Sequence, residues 1–313
     1  MNKKVLYDSQ ETTRISFMFP AVRDFISVVI PVYNDPSGLS DTLQSLKQQK
    51  LSPSKYEVIV ANDGAFESVS SVCETFGVKE VRISPNKGSY NARNRAMEKS
   101  RGEFIVFIDA DITVSPEWLE NGMRALERAD YVGGPVHIDR TKIKTPAHYS
   151  EARSAFPFES YMKEKKFSGA GNLFVRRSVI EDVGGFDERL QSGGDKEFGK
   201  RVYETGKYRQ HYEDGIAAIH PPRGYKKLIN QRIRIAKGDK VLSVLYPDRF
   251  TFNRPSLLPY IINTVKPPWI SNIRRGYSQN LPFSFFKYYL FCWRYKIEVN
   301  LKLFKTYYSR NSI

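Results

Sequence analysis

The stretch Phe104–Asp111, FIVFIDAD, decides the fold. Its first five residues are apolar, β-branched or aromatic, with no polar alternation, which predicts a strand buried on both faces of a parallel sheet covered by helices. Two carboxylates, one residue apart, follow at its C-terminal end. Ligands of open α/β sheets bind beyond the carboxyl ends of the strands, so Asp109 and Asp111 are candidates for handling a metal ion and a phosphate. The alternative is helix capping, because Ser115–Glu117 could begin a helix.

Three further strand-like segments precede this stretch. They lie at Phe25–Val32, Tyr56–Ala61 and Glu80–Ile83, and helical patterns separate them. Strands that alternate with helices at short spacing predict βαβ units with right-handed crossovers. We therefore expect an α/β, Rossmann-like fold with one mainly parallel sheet flanked by helices.

Carboxylates also follow the first two of these strands, as Asp35 and Asp63. All strand ends of a parallel sheet lie on one edge, so we expect both side chains to lie near Asp109 and Asp111. The alternative is that the four acids have separate structural roles.

The charge of the chain is unevenly distributed. The 313 residues carry a net charge of +15, yet Pro221–Ile313 holds 18 Lys/Arg against 3 Asp/Glu and residues 1–220 hold 31 of each. A neutral body with a basic end predicts an anionic partner: a membrane surface, a nucleic acid or a phosphorylated acceptor. We divide the chain into an N-terminal extension (1–24), an α/β domain (25–220) and a basic, aromatic, helical C-terminal region (221–313).

Cysteine usage and hydropathy bear on the compartment. Cys73 and Cys292 lie far apart in unlike contexts, which predicts a reducing compartment with neither a disulfide framework nor a Cys-based zinc site. The N-terminus lacks the apolar run of a secretory signal, and no window reaches the roughly 18–20 apolar residues of a spanning helix. We expect a cytoplasmic protein that attaches peripherally to the inner face of the cell membrane.

Seven short motifs resemble those of glycosyltransferase family 2. In chain order they are Val29–Asn34 (VIPVYN), Val60–Gly64 (VANDG), Asn86–Asn94 (NKGSYNARN), Asp109–Asp111 (DAD), Gly169–Leu173 (GAGNL), Gly184–Glu188 (GGFDE) and Gly193–Phe198 (GGDKEF). Each motif alone is weak, but the series in family order over residues 25–220 is specific. The resemblance implies a GT-A fold, a nucleotide-sugar donor and inverting transfer.

The resemblance also implies a set of donor-binding residues. Pro31, Tyr33 and Asp35 would line the base pocket, Asp63 would meet the base or ribose, and Arg93 would reach the base or diphosphate. The full set is Pro31, Tyr33, Asp35, Asn62, Asp63, Lys87, Arg93 and Asp109. Most relatives have two carboxylates where this chain has Asn62 and Asp63, which leaves the nucleotide open, with a UDP-sugar favoured. The alternative for Arg93 is a solvated charge on a helix.

A divalent cation, Mn2+ or Mg2+, would neutralise the diphosphate leaving group. Asp109 and Asp111 face the same edge because side chains alternate along the chain, and the resemblance makes Asp111 the more consistent ligand. His220 follows the apolar run at Gly215–Ile219 and matches the histidine that completes the metal site in many relatives. A lone histidine also serves as a structural residue, which is the alternative.

Asp195 is the candidate general base, the group that deprotonates the attacking acceptor hydroxyl in an inverting transfer. It follows Gly193 and Gly194, small residues that would let an acceptor approach. Relatives often have Gly-Glu-Asp there, so Asp195 is the carboxylate that this chain retains. Its alternative role is a helix N-cap.

The C-terminal region adds acceptor-side candidates. Gln231 and Arg234 resemble the Gln-x-x-Arg-Trp motif of polymerising relatives, with Ile235 in place of Trp. That departure, and the lack of spanning segments, favours transfer of a single sugar to a glycan or lipid-linked acceptor.

The aromatic, cationic stretch Leu281–Lys296 suits the interface of an anionic membrane. Its alternatives are packing on the protein and nucleic-acid binding, and we expect no nucleic acid because the body offers no basic track.

Two other functions compete with glycosyl transfer. Phe107–Val114 also fits the opening motif of haloacid dehalogenase-type phosphatases, whose first Asp is a nucleophile. Three strands precede it here, and the metal loop of that family has no match. A catalytically impaired, glycosyltransferase-like scaffold at the membrane is the other alternative, since Asn62 lacks the charge of the usual acid.

Overall fold

The computed structural model describes residues 14–64, 66–154, 156–274, 277 and 281–308. The chain divides into two compact units, the first formed by Met1–His137 and Phe156–His220 and the second by Ile138–Ala155 and Pro221–Ile313, each over its described residues. The last crossing between them falls at Pro221, where the sequence analysis places a domain limit. Residues 138–155 were not expected in the second unit.

The start of the chain, expected as a surface extension over residues 1–24, lies at the surface of the first unit, with residues 16 and 18–24 exposed. Residues 1–13 lie outside the described part. The first strand begins at Val22, three residues before the predicted limit. Before it, Ile15 is buried and the Arg177 guanidinium donates to the Phe19 carbonyl at 2.8 Å. This segment therefore packs on the first unit.

The described residues form ten strands in two sheets. They are β1 (Val22–Val32), β2 (Tyr56–Asn62), β3 (Lys79–Arg82), β4 (Gly102–Ile108), β5 (Thr113–Val114), β6 (Tyr131–Gly133), β7 (Val136–Ile138), β8 (Asn172–Arg176), β9 (Gln210–Tyr212) and β10 (Ala218–His220). The larger sheet has the order β3-β2-β1-β4-β8-β6-β9 and the smaller one β5-β10-β7. In the larger sheet β8 is antiparallel to both neighbours and the other pairs are parallel. The predicted mainly parallel sheet is confirmed.

Helices flank the sheet and make up most of the second unit. They are α1 (Pro36–Lys47), α2 (Phe66–Phe76), α3 (Ser89–Glu98), α4 (Trp118–Leu126), α5 (Pro146–Ser154), α6 (Phe158–Ser160), α7 (Arg177–Val183), α8 (Gly194–Glu204), α9 (Tyr225–Leu245), α10 (Leu257–Val265), α11 (Ile270–Arg274) and α12 (Phe285–Tyr308). A π-helical turn, Tyr161–Lys165, continues α6, and 3-10 turns lie at Pro53–Lys55, Arg140–Lys142 and Asp214–Ile216.

Strand β4 lies at the centre of the larger sheet, as its apolar sequence predicts. Residues 105–108 are fully buried, and Phe107 is paired with Val29 on one side and Leu173 on the other. Its ring also meets the Phe186 ring edge-on, with centroids 5.2 Å apart. Burial of each such side chain stabilises the fold by about 1.5–3 kcal/mol. The two aspartates after β4 therefore follow a strand that is held in place by packing on both sides.

Asn172 connects four segments around the C-terminal end of β4. It begins β8, opposite Ile108, and is fully buried. Its amide nitrogen donates to the carbonyls of Pro135 and Ile216 at 3.0 and 2.7 Å. Its amide oxygen accepts from the Trp118 indole at 3.1 Å. A single side chain thus ties β8 to α4 and to the segments before β7 and β10.

The second unit has two apolar clusters of its own. Buried residues of one are Tyr149, Ile273, Phe283 and Tyr288, and those of the other are Ile229, Ala236, Val299 and Leu303. Arg223 holds α5 to the start of α9, since its backbone N–H and its guanidinium donate to Glu151 at 2.6 and 2.7 Å. Within the described residues, no helix has both the length and the apolar character to cross a membrane.

We predict that Asn172→Ala lowers the free energy of unfolding by about 3 kcal/mol, because it leaves buried donors and acceptors without partners. The matched control is Asn121→Ala, which removes a 2.8 Å bond to the Gly215 carbonyl and a 3.4 Å bond from Arg124 at a half-buried residue, and should cost about 1 kcal/mol or less. Chemical denaturation followed by circular dichroism measures both. Equal losses would contradict the role given to Asn172.

Candidate active site

The four predicted acids follow the ends of three adjacent strands. The strands β2, β1 and β4 are neighbours in the sheet and parallel, with Val32 opposite Asn62. Asp35 follows β1 and caps α1 by accepting from the Gly38 N–H at 2.9 Å. A Cβ built on Gly38 would lie 2.9 Å from the Ala110 carbonyl, so the start of α1 adjoins the turn that carries Asp109 and Asp111.

Arg93, which is buried, and Asp109, whose side chain is 42% exposed, form an ion pair at this edge. A guanidinium nitrogen of Arg93 donates to Oδ1 of Asp109, and Arg93 is only 4% exposed. The guanidinium lies 5.9 Å from the ring centroids of both Tyr90 and Phe186. Its Nε is buried without a hydrogen-bond partner among the described residues. The alternative of a solvated helix charge is therefore wrong, because the cation is held inside the protein.

Asp111 and His220 form a second pair beside the first. Nε2 of His220 lies 3.2 Å from Oδ2 of Asp111. The histidine is 1% exposed, whereas the Asp111 side chain is 34% exposed. The small sheet creates this proximity, because β10 pairs with β5 at Ala218 and Val114.

This pair is chemically suited to a divalent cation. Carboxylate oxygens are ligands of both Mn2+ and Mg2+, whereas an imidazole nitrogen suits a transition ion such as Mn2+ better than Mg2+, whose sites usually combine one or two carboxylates with substrate phosphates and water. The part of the chain that the structure describes has no cluster of three or more protein ligands. Asp111 and His220 thus fit a site that a bound diphosphate would complete, with Asp109 alongside.

Asp63 organises the loop before α3. It is buried, and its carboxylate accepts from the backbone N–H groups of Lys87 and Gly88 at 2.9 and 2.8 Å. The Asn86 amide donates to the same carboxylate at 2.8 Å. These bonds join the end of β2 to the entry of α3, the helix that carries Arg93. Any contact of Asp63 with a donor stays a prediction.

Asn62 has a structural role in the sheet. It is fully buried, and its amide nitrogen donates to Glu80 at 2.7 Å while its amide oxygen accepts from the Gly64 N–H at 3.3 Å. Burial favours the neutral form of Glu80, but the bonds from Asn62, Ser70 and Arg82 outweigh it and hold the pKa of Glu80 below its usual value. An aspartate at position 62 would place a second carboxylate against Glu80.

The remaining donor-binding candidates differ in exposure. Pro31 is buried within β1, opposite Ala61. Tyr33 is 59% exposed, and its ring packs so closely on Gly64 that a Cβ there would lie 2.5 Å from it. The Lys87 side chain is exposed. Only Tyr33 and Lys87 of this set present large side chains to solvent, and their contact with a donor stays a prediction.

Asp195 is the second residue of α8 and is half-buried. Its Oδ1 accepts from the Tyr90 hydroxyl at 3.3 Å and from the Lys196 N–H at 3.0 Å. Loss of surrounding water raises the pKa of Asp195, and the charges of Lys196 and Arg93 offset this only in part. A carboxylate with a raised pKa is a stronger base, which suits proton abstraction.

The glycines before Asp195 shape the start of α8. The N-cap is Gly193, with a φ of 87°, a left-handed conformation that glycine adopts without strain. The N-cap alternative for Asp195 is therefore wrong. A Cβ on Gly194 would lie 2.8 Å from the Tyr90 ring, so the small residue admits this ring against Asp195. Acceptor approach over these glycines stays a prediction.

Comparison with known proteins decides the family. The family model described as glycosyl transferase family 2 matches residues 27–184. Glycosyltransferase AglE of Haloferax volcanii is 31% identical over 237 residues, which cover 74% of this chain and 77% of that protein. The chain belongs to glycosyltransferase family 2.

Solved structures with the same fold are GT-A glycosyltransferases. The mannosyltransferase PcManGT of Pyrobaculum calidifontis, in complex with GDP-Man and Mn2+, aligns with a TM-score of 0.60 at 18% identity and covers 94% of this chain and 90% of its own. TarS 1-349 of S. aureus, in complex with UDP-GlcNAc, aligns with a TM-score of 0.54 at 18% identity, with 89% of each chain covered. The predicted GT-A fold is confirmed, and the phosphatase alternative is excluded.

Residues outside the predicted set hold this glycosyltransferase site together. The Glu188 carboxylate accepts from Asn91, Asn94 and Arg95, all on α3, at 2.5, 2.9 and 2.7 Å. The Asn94 amide also donates to the Phe186 carbonyl at 2.8 Å. These bonds fix the helix of Arg93 to the segment before α8. The sequence signal for them is their place in the family 2 motifs at 86–94 and 184–188.

The two acceptor-side candidates beyond the α/β unit lie on α9 of the second unit. Gln231 is half-buried and Arg234 is exposed. Their part in acceptor binding stays a prediction.

We predict that Asp195→Asn stabilises the glycosyltransferase above neutral pH by about 0.5–2 kcal/mol, the range that single stabilising substitutions commonly give. The folded pKa of Asp195 lies above its unfolded value, so the folded state binds this proton more tightly and wild-type stability falls as pH rises through that range. At low pH, where the carboxyl is protonated, the two proteins should unfold alike.

Thermal unfolding from pH 4 to 8 measures this effect. The control is Asp182→Asn, since hydrogen bonds from Lys207 and Tyr208 lower the pKa of Asp182 and its replacement should destabilise the protein at neutral pH. An Asp195→Asn protein less stable than wild type at pH 8 would contradict the raised pKa.

Proposed function

We propose that the protein is an inverting, metal-dependent glycosyltransferase that moves one sugar from a nucleotide-sugar donor to an acceptor hydroxyl. The observation that carries this proposal is the chain of contacts across the site. Asp111 meets His220, Asp109 meets Arg93, and Arg93 lies beside Tyr90, whose hydroxyl donates to Asp195. One buried cation, Arg93, thus contacts a candidate metal ligand, Asp109, and lies beside Tyr90, which binds the candidate base.

In the proposed reaction the acceptor oxygen attacks the anomeric carbon on the face opposite the diphosphate. A new bond from carbon to oxygen forms, the bond to the diphosphate oxygen breaks, and the leaving group keeps that electron pair. Asp195 takes the proton of the acceptor hydroxyl. The Tyr90 hydroxyl and the Lys196 N–H hold the receiving carboxylate in place.

Two positive charges would stabilise the negative charge that develops on the leaving group. Arg93 keeps a buried positive charge at the strand edge. A bound Mn2+ or Mg2+, held by Asp111 and His220 with Asp109 alongside, would neutralise the diphosphate. The Mn2+ in the PcManGT complex supports this assignment.

The donor class and the acceptor are finer proposals. The two structural neighbours carry GDP-Man and UDP-GlcNAc, which supports a nucleotide sugar without choosing the nucleotide, and we propose a UDP-sugar. We propose a glycan or lipid-linked acceptor at the cytoplasmic face of an anionic membrane, because the whole excess of positive charge lies in residues 221–313. Ile235 in place of Trp supports addition of a single sugar.

The scaffold alternative loses its main argument. It rested on Asn62 as a defect in the donor site, yet Asn62 is buried and bound to Glu80. The acids with proposed chemical roles are all present. We therefore keep the enzyme as the proposed function.

The test is a thermal-shift screen against UDP-, GDP-, dTDP- and CDP-sugars, each with Mn2+, with Mg2+ and with chelator. A ligand present at about 100 times its Kd stabilises the native state by about 2.7 kcal/mol. We expect a rise in melting temperature with one nucleotide class that requires the metal. Asp111→Asn should remove most of that rise, because the amide is a poor metal ligand.

Asp41→Asn is the matched control, since Asp41 is an exposed acid on α1. Its shift with the donor should equal that of wild type. A metal-dependent shift that survives unchanged in Asp111→Asn would contradict the assigned ligand. The absence of any shift with all four classes would contradict the donor site.

A further inference from the structure

The α10 helix of the second unit turns its apolar face outward. Five of its nine residues are large, apolar and 47–67% exposed, namely Leu257, Leu258, Ile261, Ile262 and Val265. At about 100° per residue these five positions fall within an arc of about 140°. A continuous apolar face of this kind, left in water, marks a surface that another apolar phase covers.

The opposite face of α10 is fixed to α12. The Tyr260 hydroxyl donates to the Asn300 carbonyl at 2.6 Å, and Thr264, one turn further on, is buried. At the end of α10 the Trp293 indole donates to the Val265 carbonyl at 3.2 Å, and the Lys296 ammonium donates to the Lys266 carbonyl at 3.1 Å. These bonds satisfy carbonyls that a helix end leaves open. The outward direction of the apolar face is thus set by side-chain contacts within this unit.

The apolar surface continues beyond α10. After two prolines, Trp269 and Ile270 are 68% and 56% exposed. The Lys266 ammonium lies 5.3 Å from the Trp269 ring centroid, and the Tyr289 hydroxyl donates to the Pro268 carbonyl at 3.3 Å. Tryptophan with an adjacent lysine is typical of the headgroup level of a bilayer. We define Leu257–Ile270 as the apolar ridge.

The sequence segment that contains the apolar ridge carries charges of one sign. Residues 249–297 contain eight Lys/Arg and no Asp or Glu. Among these cations, Arg254 and Arg274 flank the ridge in sequence and are exposed. An anionic surface complements such a segment, with each cation near it contributing about 1 kcal/mol. A second copy of this chain would bring like charges together instead.

We propose that the apolar ridge inserts into the surface of an anionic phospholipid bilayer and attaches the enzyme to it. The five side chains of α10 and the two that follow would lie about 5–10 Å deep, at the boundary of headgroups and acyl chains, with the flanking cations among the phosphates. This inference relies on the proposed function in one respect: membrane attachment would give the enzyme access to a membrane-borne acceptor.

This assignment moves the membrane surface away from the stretch predicted for it. In Leu281–Lys296, Phe283 and Tyr288 are buried in a cluster with Tyr149, and much of the remainder packs against that cluster. The packing alternative therefore describes most of that stretch. Phe286 and Leu290, on α12, are the large apolar side chains there that are strongly exposed.

The test is cosedimentation of the full chain with vesicles of phosphatidylglycerol and phosphatidylcholine in equal parts, without donor or metal. The ridge variant is Leu258→Ser/Ile262→Ser/Trp269→Ser, whose side chains are exposed and so can be replaced without loss of the fold. We expect its partition coefficient to fall at least about tenfold, since apolar burial drives insertion. Pure phosphatidylcholine vesicles should bind wild type at least about tenfold more weakly than anionic ones.

The matched control is Tyr203→Ser/Val244→Ser, which removes two half-exposed apolar side chains outside the ridge and should bind as wild type does. Unchanged vesicle binding by the ridge variant would overturn the proposal. So would a dimeric wild type that the ridge variant converts to a monomer, measured by light scattering, because the ridge would then cover a second copy. Equal binding to neutral vesicles would overturn the role of the cations.

The vesicle assay tests the membrane proposal and the donor screen tests the proposed enzyme function, so a negative result in one does not decide the other. Vesicle binding with no donor shift would contradict the proposed enzyme function and leave the ridge assigned to membrane. A donor shift with vesicle binding that does not depend on the ridge would contradict only the present inference.

Discussion

The candidate site depends on the ion pair between the buried Arg93 and the partly exposed Asp109. A guanidinium that is 4% exposed is costly to bury, and the carboxylate after β4 compensates its charge. Removing Asp109 would leave the Arg93 charge uncompensated inside the protein. The ion pair also connects two elements, because Asp109 follows the central strand and Arg93 lies on a helix that Glu188 binds along its length and Asp63 binds at its start. Tyr90 extends this arrangement from the cation to Asp195.

Much of this arrangement was predictable from the sequence, because it follows from strand periodicity. A parallel sheet collects the ends of its strands on one edge, so Asp35, Asp63 and Asp109 could be grouped without coordinates. Individual hydrogen bonds were not predictable. Nothing local indicates that Asn62 meets Glu80, 18 residues away, or that Asp63 accepts from the loop at 86–88 rather than facing solvent. Tertiary packing decides such partners. For this reason Asn62, which replaces the acid of most relatives, suggested a defect in the donor site, whereas the structure gives it a hydrogen bond to Glu80.

In the C-terminal region, too, the sequence does not show which side chains pack and which stay exposed. Both Leu281–Lys296 and the apolar ridge are aromatic or apolar with interspersed cations, so composition alone does not separate them. The difference arises from packing, which buries Tyr288 against Tyr149 and leaves the outer face of α10 exposed. The assignment of residues 138–155 to the second unit has the same cause, since α5 supplies Tyr149 and the Glu151 partner of Arg223.

In the proposed mechanism Asp195, whose pKa is raised by loss of surrounding water, removes the acceptor proton. The most direct measurement is the single-turnover rate of nucleoside diphosphate release from the donor identified by binding, with membrane extract as the source of acceptor, for wild type and Asp195→Asn. An amide cannot accept the proton, so we expect a rate lower by about 10²–10⁴ with donor affinity unchanged. A rate within a few-fold of wild type would contradict it.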